Sequence, residues 1–222
     1  MNIVDQNLGR WLSYLNASCS TAFIVFSASV SHLPITNPSG WSEVDNTQKA
    51  SFGSAGRIDI DDVHAYPESM GQWDLDIHPL SAGKFHAHIE YIEIAGMLLY
   101  REHFSRRAVI TASTPADSYL FGCSRSGDPV INWCGKYLEY HRLAFCQPAT
   151  EIRAITPNMN EHVILEVPRH RLEQIVPGTD AASLLKFNQH LRVDAHRGAQ
   201  FIRMIDQTIS QYLAHSGKPV SY

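Results

Sequence analysis

The sequence predicts a mainly β protein with C-terminal helices, a member of the α+β class. Short apolar and β-branched runs fill residues 57–168, separated by turn-forming residues at intervals of roughly 8–12 residues. From residue 169 onwards the apolar residues instead recur at the spacing of an α-helix. The first pattern is typical of a sandwich or barrel, and the second of a helical segment that follows it.

The composition is that of an ordinary soluble globular protein. The chain has 222 residues, of which 44% are hydrophobic and 18% are charged. A chain of this length buries enough surface to fold without a disulfide or a metal ion. The formal net charge of −4 gives no broad attraction to nucleic acid, because such binding depends on Lys and Arg neutralising phosphates.

The sequence predicts neither a membrane span nor an export signal. Its main apolar run, residues 22–30, is far shorter than the ~20 residues that a membrane-spanning helix needs. The run follows Cys19 rather than a basic start, unlike a secretory signal. We therefore expect a cytoplasmic protein. Its cysteines show no CxxC pair or metal-like spacing, and we expect reduced thiols at Cys19, Cys123, Cys134 and Cys146.

Three regions follow one another along the chain. Residues 1–56 form an N-terminal extension, rich in turn-forming residues, to which no function can be assigned. Residues 57–168 form the strand region, with turns at Ser126–Pro129 and Gly135–Lys136. The predicted strands are Phe85–Tyr91, Met97–Tyr100, Ala108–Thr111, Ser118–Phe121, Val130–Trp133, Leu143–Phe145, Glu151–Ile155 and His162–Val167.

Residues 169–222 form a helical segment. Helices are predicted from Pro168 to Val176, from Ala181 to Leu191, and again from Asp194. The last helix carries an apolar stripe that includes Phe201, Ile205, Ile209 and Tyr212. Such a stripe needs a partner surface, either the strand domain of the same chain or the equivalent helix of a second chain. We predict that these residues pair two subunits, since two-fold pairing is the commonest form of homo-oligomer.

His86, His88 and Glu93 imitate part of a metal site. Metal-binding cupins carry a His-x-His pair, a Glu a few residues later and a further His on a later strand. On one continuous strand, however, His86 and His88 share a face that Glu93 does not. The alternation with Phe85, Ile89 and Tyr91 predicts that both histidines face water, so we expect no bound metal.

Sequence motifs for chemistry are absent. The chain contains no GxSxG, no HExxH and no glycine loop of the kind that holds phosphate. We therefore predict neither a catalytic residue nor a cofactor, and expect a protein that is not an enzyme.

Aromatic residues of the strand region suggest a ligand pocket. Three separate predicted strands carry four such residues: Tyr100, Tyr119, Phe121 and Trp133. Closure of a barrel could bring them together around a ligand. Packing in an ordinary core is the alternative. Three polar residues that follow Tyr100 could give such a pocket its polar contacts: Arg101, Glu102 and His103.

The order of these segments resembles the effector-binding domain of AraC-family transcription regulators. The resemblance covers residues of roughly 58–215 and is carried by Ile60–Ala65, Trp73–Leu75, Leu80–Phe85, Gly96–Glu102, Ser118–Gly122, Trp133–Lys136 and Phe145–Ile152. In the last of these segments the family usually has a Pro-Gly-Thr-Glu turn, whereas this chain has Ala149 in the glycine position.

This resemblance implies a cupin-like double-stranded β-barrel that binds a small effector, followed by a helix pair that joins two subunits. The family's two helix-turn-helix units would need about a hundred further residues, so we expect DNA contact only through a C-terminal domain absent from this chain. The chain would be a truncated gene product or a free-standing sensor. The alternative function is a cupin-type metalloenzyme acting on a small substrate, and a third possibility is a structural dimerisation protein with a filled barrel.

Overall fold

The computed structural model describes residues 55–71, 73–94, 96–126, 130–139, 143–175, 190–191 and 195–216. Nearly all of the predicted N-terminal extension lies outside these ranges, as do Cys19 and most of the predicted helix Ala181–Leu191.

Strands make up most of the described chain. In order they are β1 (Ala55–Ile60), β2 (Asp74–Pro79), β3 (Ala87–Ile94), β4 (Met97–Phe104), β5 (Ala108–Ser113), β6 (Ser118–Ser126), β7 (Val130–Trp133), β8 (Lys136–Glu139), β9 (Leu143–Cys146), β10 (Glu151–Ile155), β11 (Asn160–Pro168) and β12 (His190–Leu191). Three helices accompany them within the same ranges: α1 (Ala65–Ser69), α2 (Arg169–Ile175) and α3 (Ala195–Ser216). No helix in these ranges is both long enough and apolar enough to cross a membrane.

The strands form two antiparallel sheets. The large sheet has the order β1-β3-β4-β11-β6-β9-β12, and the small sheet has the order β2-β5-β10-β7-β8. Within the described residues no strand belongs to both sheets, so the expected double-stranded barrel is open rather than closed. The predicted class, mainly β with C-terminal helices and cupin-like, is confirmed.

The large sheet is buried on both faces. On its inner face, which we define as the one towards the small sheet, Leu98 and Tyr100 of β4 pack with Ala112 and Ile152 of the small sheet. On the outer face Leu99 packs in a second apolar cluster with residues of α3. Neighbouring residues of a strand point to opposite faces, so burial of both faces explains the uninterrupted apolar run at the start of β4.

Helix α3 covers the outer face of the large sheet. Phe201, Ile205 and Ile209 are almost completely buried there, and Tyr212 packs beside them while partly exposed. The apolar stripe therefore packs against the strand domain of the same chain. The sequence had allowed either this surface or the equivalent helix of a second chain. Phe201, Ile205 and Ile209 are thus covered within one chain while Tyr212 keeps part of its surface exposed, and pairing of two subunits stays a prediction.

A charged network holds α3 to the sheet beside this apolar contact. Asp206 of α3 accepts from Arg101 Nη1 at 3.4 Å and lies 3.1 Å from Arg125 Nε. Arg101 also donates to Glu90, which accepts in addition from Arg57 Nε at 2.7 Å. Burial alone would raise the pKa of Glu90, but the hydrogen bonds from the two arginines outweigh it and lower that pKa.

The last two residues of one predicted helix form a short strand in the structure. His190 and Leu191, assigned to the helix Ala181–Leu191, pair instead with Ala144 and Leu143 at the edge of the large sheet. The long-range pairing overrides the local apolar spacing on which the helix prediction depended. The other apolar residues of that prediction, Leu184, Leu185 and Phe187, lie outside the described ranges.

The turn between β7 and β8 and the turn before β10 both contain residues in the left-handed region. Cys134 (φ 48°) and Gly135 (φ 77°) join β7 to β8, and Trp133 pairs with Lys136 across them. Positive φ at both central positions is typical of a two-residue type I′ hairpin, which corrects the predicted turn Gly135–Lys136 by one residue. Ala149, in the turn before β10, also has a positive φ, of 53°.

The strain at Ala149 yields a testable prediction. A residue with a Cβ atom is less stable in the left-handed region by about 1–2 kcal/mol, whereas glycine occupies it freely. Ala149→Gly should therefore raise the free energy of unfolding by about 1 kcal/mol in urea titrations. The control, Ala87→Gly in β3, should lower it by a similar amount, because this buried strand alanine has no positive φ. A loss of stability in Ala149→Gly would contradict the assigned turn.

Candidate ligand-binding cavity

A cavity of about 90 Å³ lies between the two sheets. This is several times the roughly 10–15 Å³ that a cavity needs to hold a single water molecule. Most of its wall is apolar, and its aromatic and aliphatic lining residues include Tyr66, Trp73, Leu75, Tyr100, Ile110, Leu120, Trp133, Leu138, Ile152 and Ile164. A mainly apolar, concave site of this kind suits a small organic molecule.

The cavity contains two of the four aromatic residues predicted to line it. Tyr100 on β4 and Trp133 at the end of β7 both contribute to its wall. Tyr119 and Phe121 do not, because they lie on the outer face of β6 and pack against Phe145, with ring centroids 5.8 and 5.2 Å away. The correction follows from the strand period: Leu120, between them, faces the cavity.

A connected group of polar side chains forms one part of the wall. Glu102 of β4 is buried, and its carboxylate accepts a hydrogen bond from the Tyr66 hydroxyl of α1. His162 Nε2 lies 2.7 Å from Glu102 Oε2, since β11 places His162 directly opposite Glu102. Asn160, which is completely buried, contacts His162 Nδ1 through Nδ2 at 2.8 Å. We name these four residues the polar wall.

Of the three polar residues predicted for the pocket, only Glu102 faces it. Arg101 and His103 are on the other face of β4, where Arg101 contacts α3. Sequence reasoning missed Asn160 and His162, although β11 carries a usable signal. Its apolar residues Val163, Leu165 and Val167 alternate with Asn160, His162 and Ile164, so the polar pair had to face away from the outer cluster.

Burial keeps the other ionisable groups near the cavity uncharged. Burial raises the pKa of the Tyr100 hydroxyl well above its usual value, and the negative charge of Glu166 adds to this effect. Burial likewise raises the pKa of the Cys146 thiol. At neutral pH both groups are therefore protonated.

The histidine pair singled out in the sequence lies away from the cavity. His86 Nδ1 is 2.9 Å from Asp61 Oδ1, and His88 Nδ1 is 2.7 Å from Asp59 Oδ1, with both rings partly exposed. Both histidines thus contact aspartates on the protein surface, and Asp59 also lies 3.8 Å from His86 Nε2. Among the described residues, no group of three or more His, Cys, Asp or Glu side chains is placed to hold a metal ion.

Residues 70–221 match the AraC-binding-like domain family. The chain belongs to this family. The match covers most of the chain and confirms the resemblance to AraC-type effector-binding domains that the sequence segments carry.

Solved structures extend the comparison of this AraC-binding-like domain. The AraC-like transcriptional activator CuxR aligns with a TM-score of 0.53 at 16% identity, over 70% of this chain and 62% of the activator. This similarity is one of fold, and it spans less than two thirds of the activator's length. A predicted oxalate decarboxylase from Thermotoga maritima aligns over 43% of this chain and 94% of its own, at 13% identity and a TM-score of 0.32. No curated protein sequence matches the chain.

The polar wall predicts a specific cost for removing its central carboxylate. Glu102→Leu leaves the Tyr66 hydroxyl and the His162 N–H buried without their acceptor, at about 1–3 kcal/mol for each group. We expect the free energy of unfolding to fall by about 2–6 kcal/mol in urea titrations. His103→Leu, on the opposite face of the same strand, is the matched control and should change it by less than about 1 kcal/mol. Equal effects of the two substitutions would contradict the role given to Glu102.

Proposed function

We propose that this AraC-binding-like domain is the sensing module of a cytoplasmic transcription regulator, and that the cavity holds its small-molecule effector. The observation that carries the proposal is the cavity itself, an apolar space with a few convergent polar groups on one wall. This combination is the usual form of a small-molecule binding site. DNA contact would be made by a separate helix-turn-helix region of the kind found in AraC-type regulators.

The strands of the large sheet supply a route from the cavity to α3. Glu102 lines the cavity while its neighbour Arg101 binds Asp206 of α3. The same alternation occurs on β6, where Ser124 lines the cavity and Arg125 contacts Asp206. A ligand that shifts these strands by a fraction of an ångström would move the groups that hold α3, because packed interiors transmit strain rather than absorb it.

Pairing of two subunits remains part of the proposal, with a changed surface. Phe201, Ile205 and Ile209 are covered by the chain's own sheet, so the contact between subunits would use other residues. The exposed side of α3 is available for it and carries Arg203, Gln207 and Ala214. Movement of α3 on the sheet would then alter the geometry of the dimer.

A thermal-shift screen of metabolites tests the proposal. A ligand present at a hundredfold excess over its Kd stabilises the folded state by about 2.7 kcal/mol, which corresponds to a rise in Tm of roughly 5–10 °C. We expect at least one metabolite to produce such a rise in the wild-type protein.

Gly122→Leu shows whether that ligand occupies the cavity. Gly122 lines the cavity, and a Cβ atom there meets no atom closer than Ile164 Cγ1 at 3.8 Å, so the leucine fills the space without a clash at Cβ. The shift in Tm should disappear in this variant and persist in Thr111→Leu, which adds a leucine on the exposed face of β5. An equal shift in all three proteins would place the ligand elsewhere, and one tightly held metal ion per chain would favour the cupin-type metalloenzyme.

A further inference from the structure

We propose that the cavity binds a small organic amine as its ammonium ion, with Glu102 and Asn160 holding the ammonium group and an indole N–H donating to an oxygen atom on the ligand's body. This inference rests on the proposed function, because it names the ligand class of the same cavity. Three features of the described residues lead to it: the sign of the charge, the unmatched polar atoms and the aromatic walls.

The cavity contains a carboxylate but, among the described lining residues, no lysine or arginine to balance it. This carboxylate is that of Glu102. His162 lies beside this carboxylate, with Nε2 2.7 Å from Glu102 Oε2 and Nδ1 2.8 Å from the Asn160 amide. An anionic ligand would therefore meet a buried like charge, whereas a cation would find a counter-ion in an apolar site.

Glu102 retains the capacity to accept from a ligand. A carboxylate offers about four acceptor positions. The Tyr66 hydroxyl occupies one and the His162 ring another. A third donor, such as one N–H of an ammonium group, can be added without displacing either neighbour.

The side-chain oxygen of Asn160, Oδ1, is a second acceptor, and no donor among the described residues reaches it. Its Nδ2 is committed to His162, which leaves Oδ1 buried and without a hydrogen-bond partner in the described part of the chain. Buried carbonyl oxygens almost always have a partner in native proteins. A group with several donors and no acceptor satisfies Asn160 and Glu102 together, and ammonium is such a group.

Two further buried polar atoms without a hydrogen-bond partner among the described residues would bind the other end of the ligand. The indole Nε1 atoms of Trp73 and Trp133 are also buried without a partner among the described residues, and both side chains line the cavity. An indole N–H can only donate, so it calls for an acceptor on the ligand, such as a hydroxyl oxygen. These two rings and Tyr100 add aromatic surface to the wall, and aromatic rings attract cations to their faces.

Three probes that share one skeleton isolate the charge. Tyramine, 4-hydroxyphenylethanol and 4-hydroxyphenylacetate have the same hydroxylated ring and carry an ammonium, a neutral hydroxyl and a carboxylate at the other end. A second series, 5-aminopentan-1-ol, pentane-1,5-diol and 5-hydroxypentanoate, repeats the comparison without the ring. Isothermal titration calorimetry of the full chain at neutral pH gives the affinities.

We expect the amine of at least one series to bind at least about tenfold more tightly than its alcohol, and the carboxylate to bind most weakly. Glu102→Gln should lower the affinity for the amine at least about tenfold while changing that for the alcohol by less than about threefold. Glu93→Gln removes an exposed glutamate of β3 and should leave both affinities unchanged. If Glu102→Gln fails to fold, the wild-type ranking of amine, alcohol and carboxylate decides the matter.

The outcomes separate this inference from the proposed function. Binding of the alcohols or carboxylates in preference to the amines, abolished by Gly122→Leu, would overturn the amine proposal and leave the cavity as an effector site. Amine binding that survives Gly122→Leu would overturn the assignment to this cavity. If no probe of either series binds, the amine proposal fails, and the metabolite screen alone then decides the proposed function.

Discussion

Burial of the large sheet on both of its faces is the constraint on which the rest of this structure depends. A strand with apolar residues at successive positions cannot leave either face in water, so each face needs a covering layer. The small sheet covers the inner face and α3 covers the outer one. Fully burying one Leu, Ile or Phe side chain contributes about 1.5–3 kcal/mol, and α3 buries Phe201, Ile205 and Ile209 together. The helix is therefore a part of the domain rather than an appendage to it.

The same constraint brings residues that line the cavity and residues that hold α3 next to one another in the sequence. On a strand whose two faces are both covered, one residue faces the small sheet and the cavity, and the next faces the helix layer. Arg101 and Glu102 illustrate this, with Asp206 of α3 on one side and the polar wall on the other. Three strands, β4, β6 and β11, line the cavity with one face and contact α3 with the other, so the cavity and the helix are joined directly through the sheet.

Much of this architecture could be predicted from the sequence, and the failures have physical causes. Val130–Trp133 and Glu151–Ile155 were predicted with the observed ends, since turn-forming residues bound both strands. Local pattern could not show that Tyr119 and Phe121 face α3, because both faces of β6 are apolar and neither face is marked as the inner one. The edge pairing of His190 and Leu191 is a long-range contact, which a local helical period cannot reveal.

The candidate site was predictable only in part. Tyr100, Glu102 and Trp133 were found because they stand out as aromatic or charged residues in strand segments. The polar wall also needs Tyr66 from α1 and His162 from β11, which the fold brings to Glu102 over long sequence separations. The register between β4 and β11 sets His162 opposite Glu102, and register is a property of the assembled sheet.

Native-state hydrogen exchange of Ile205→Glu tests most directly whether α3 and the large sheet form one unit. Ile205 is completely buried against the outer face, so a charged side chain there should separate the helix from the sheet. We predict that backbone amides of α3, β4, β6 and β11 lose protection together, by about 3 kcal/mol or more. Gln207→Glu, on the exposed side of α3, should leave all of them as in the wild type. Loss of protection confined to α3, with the strands unchanged, would contradict this account.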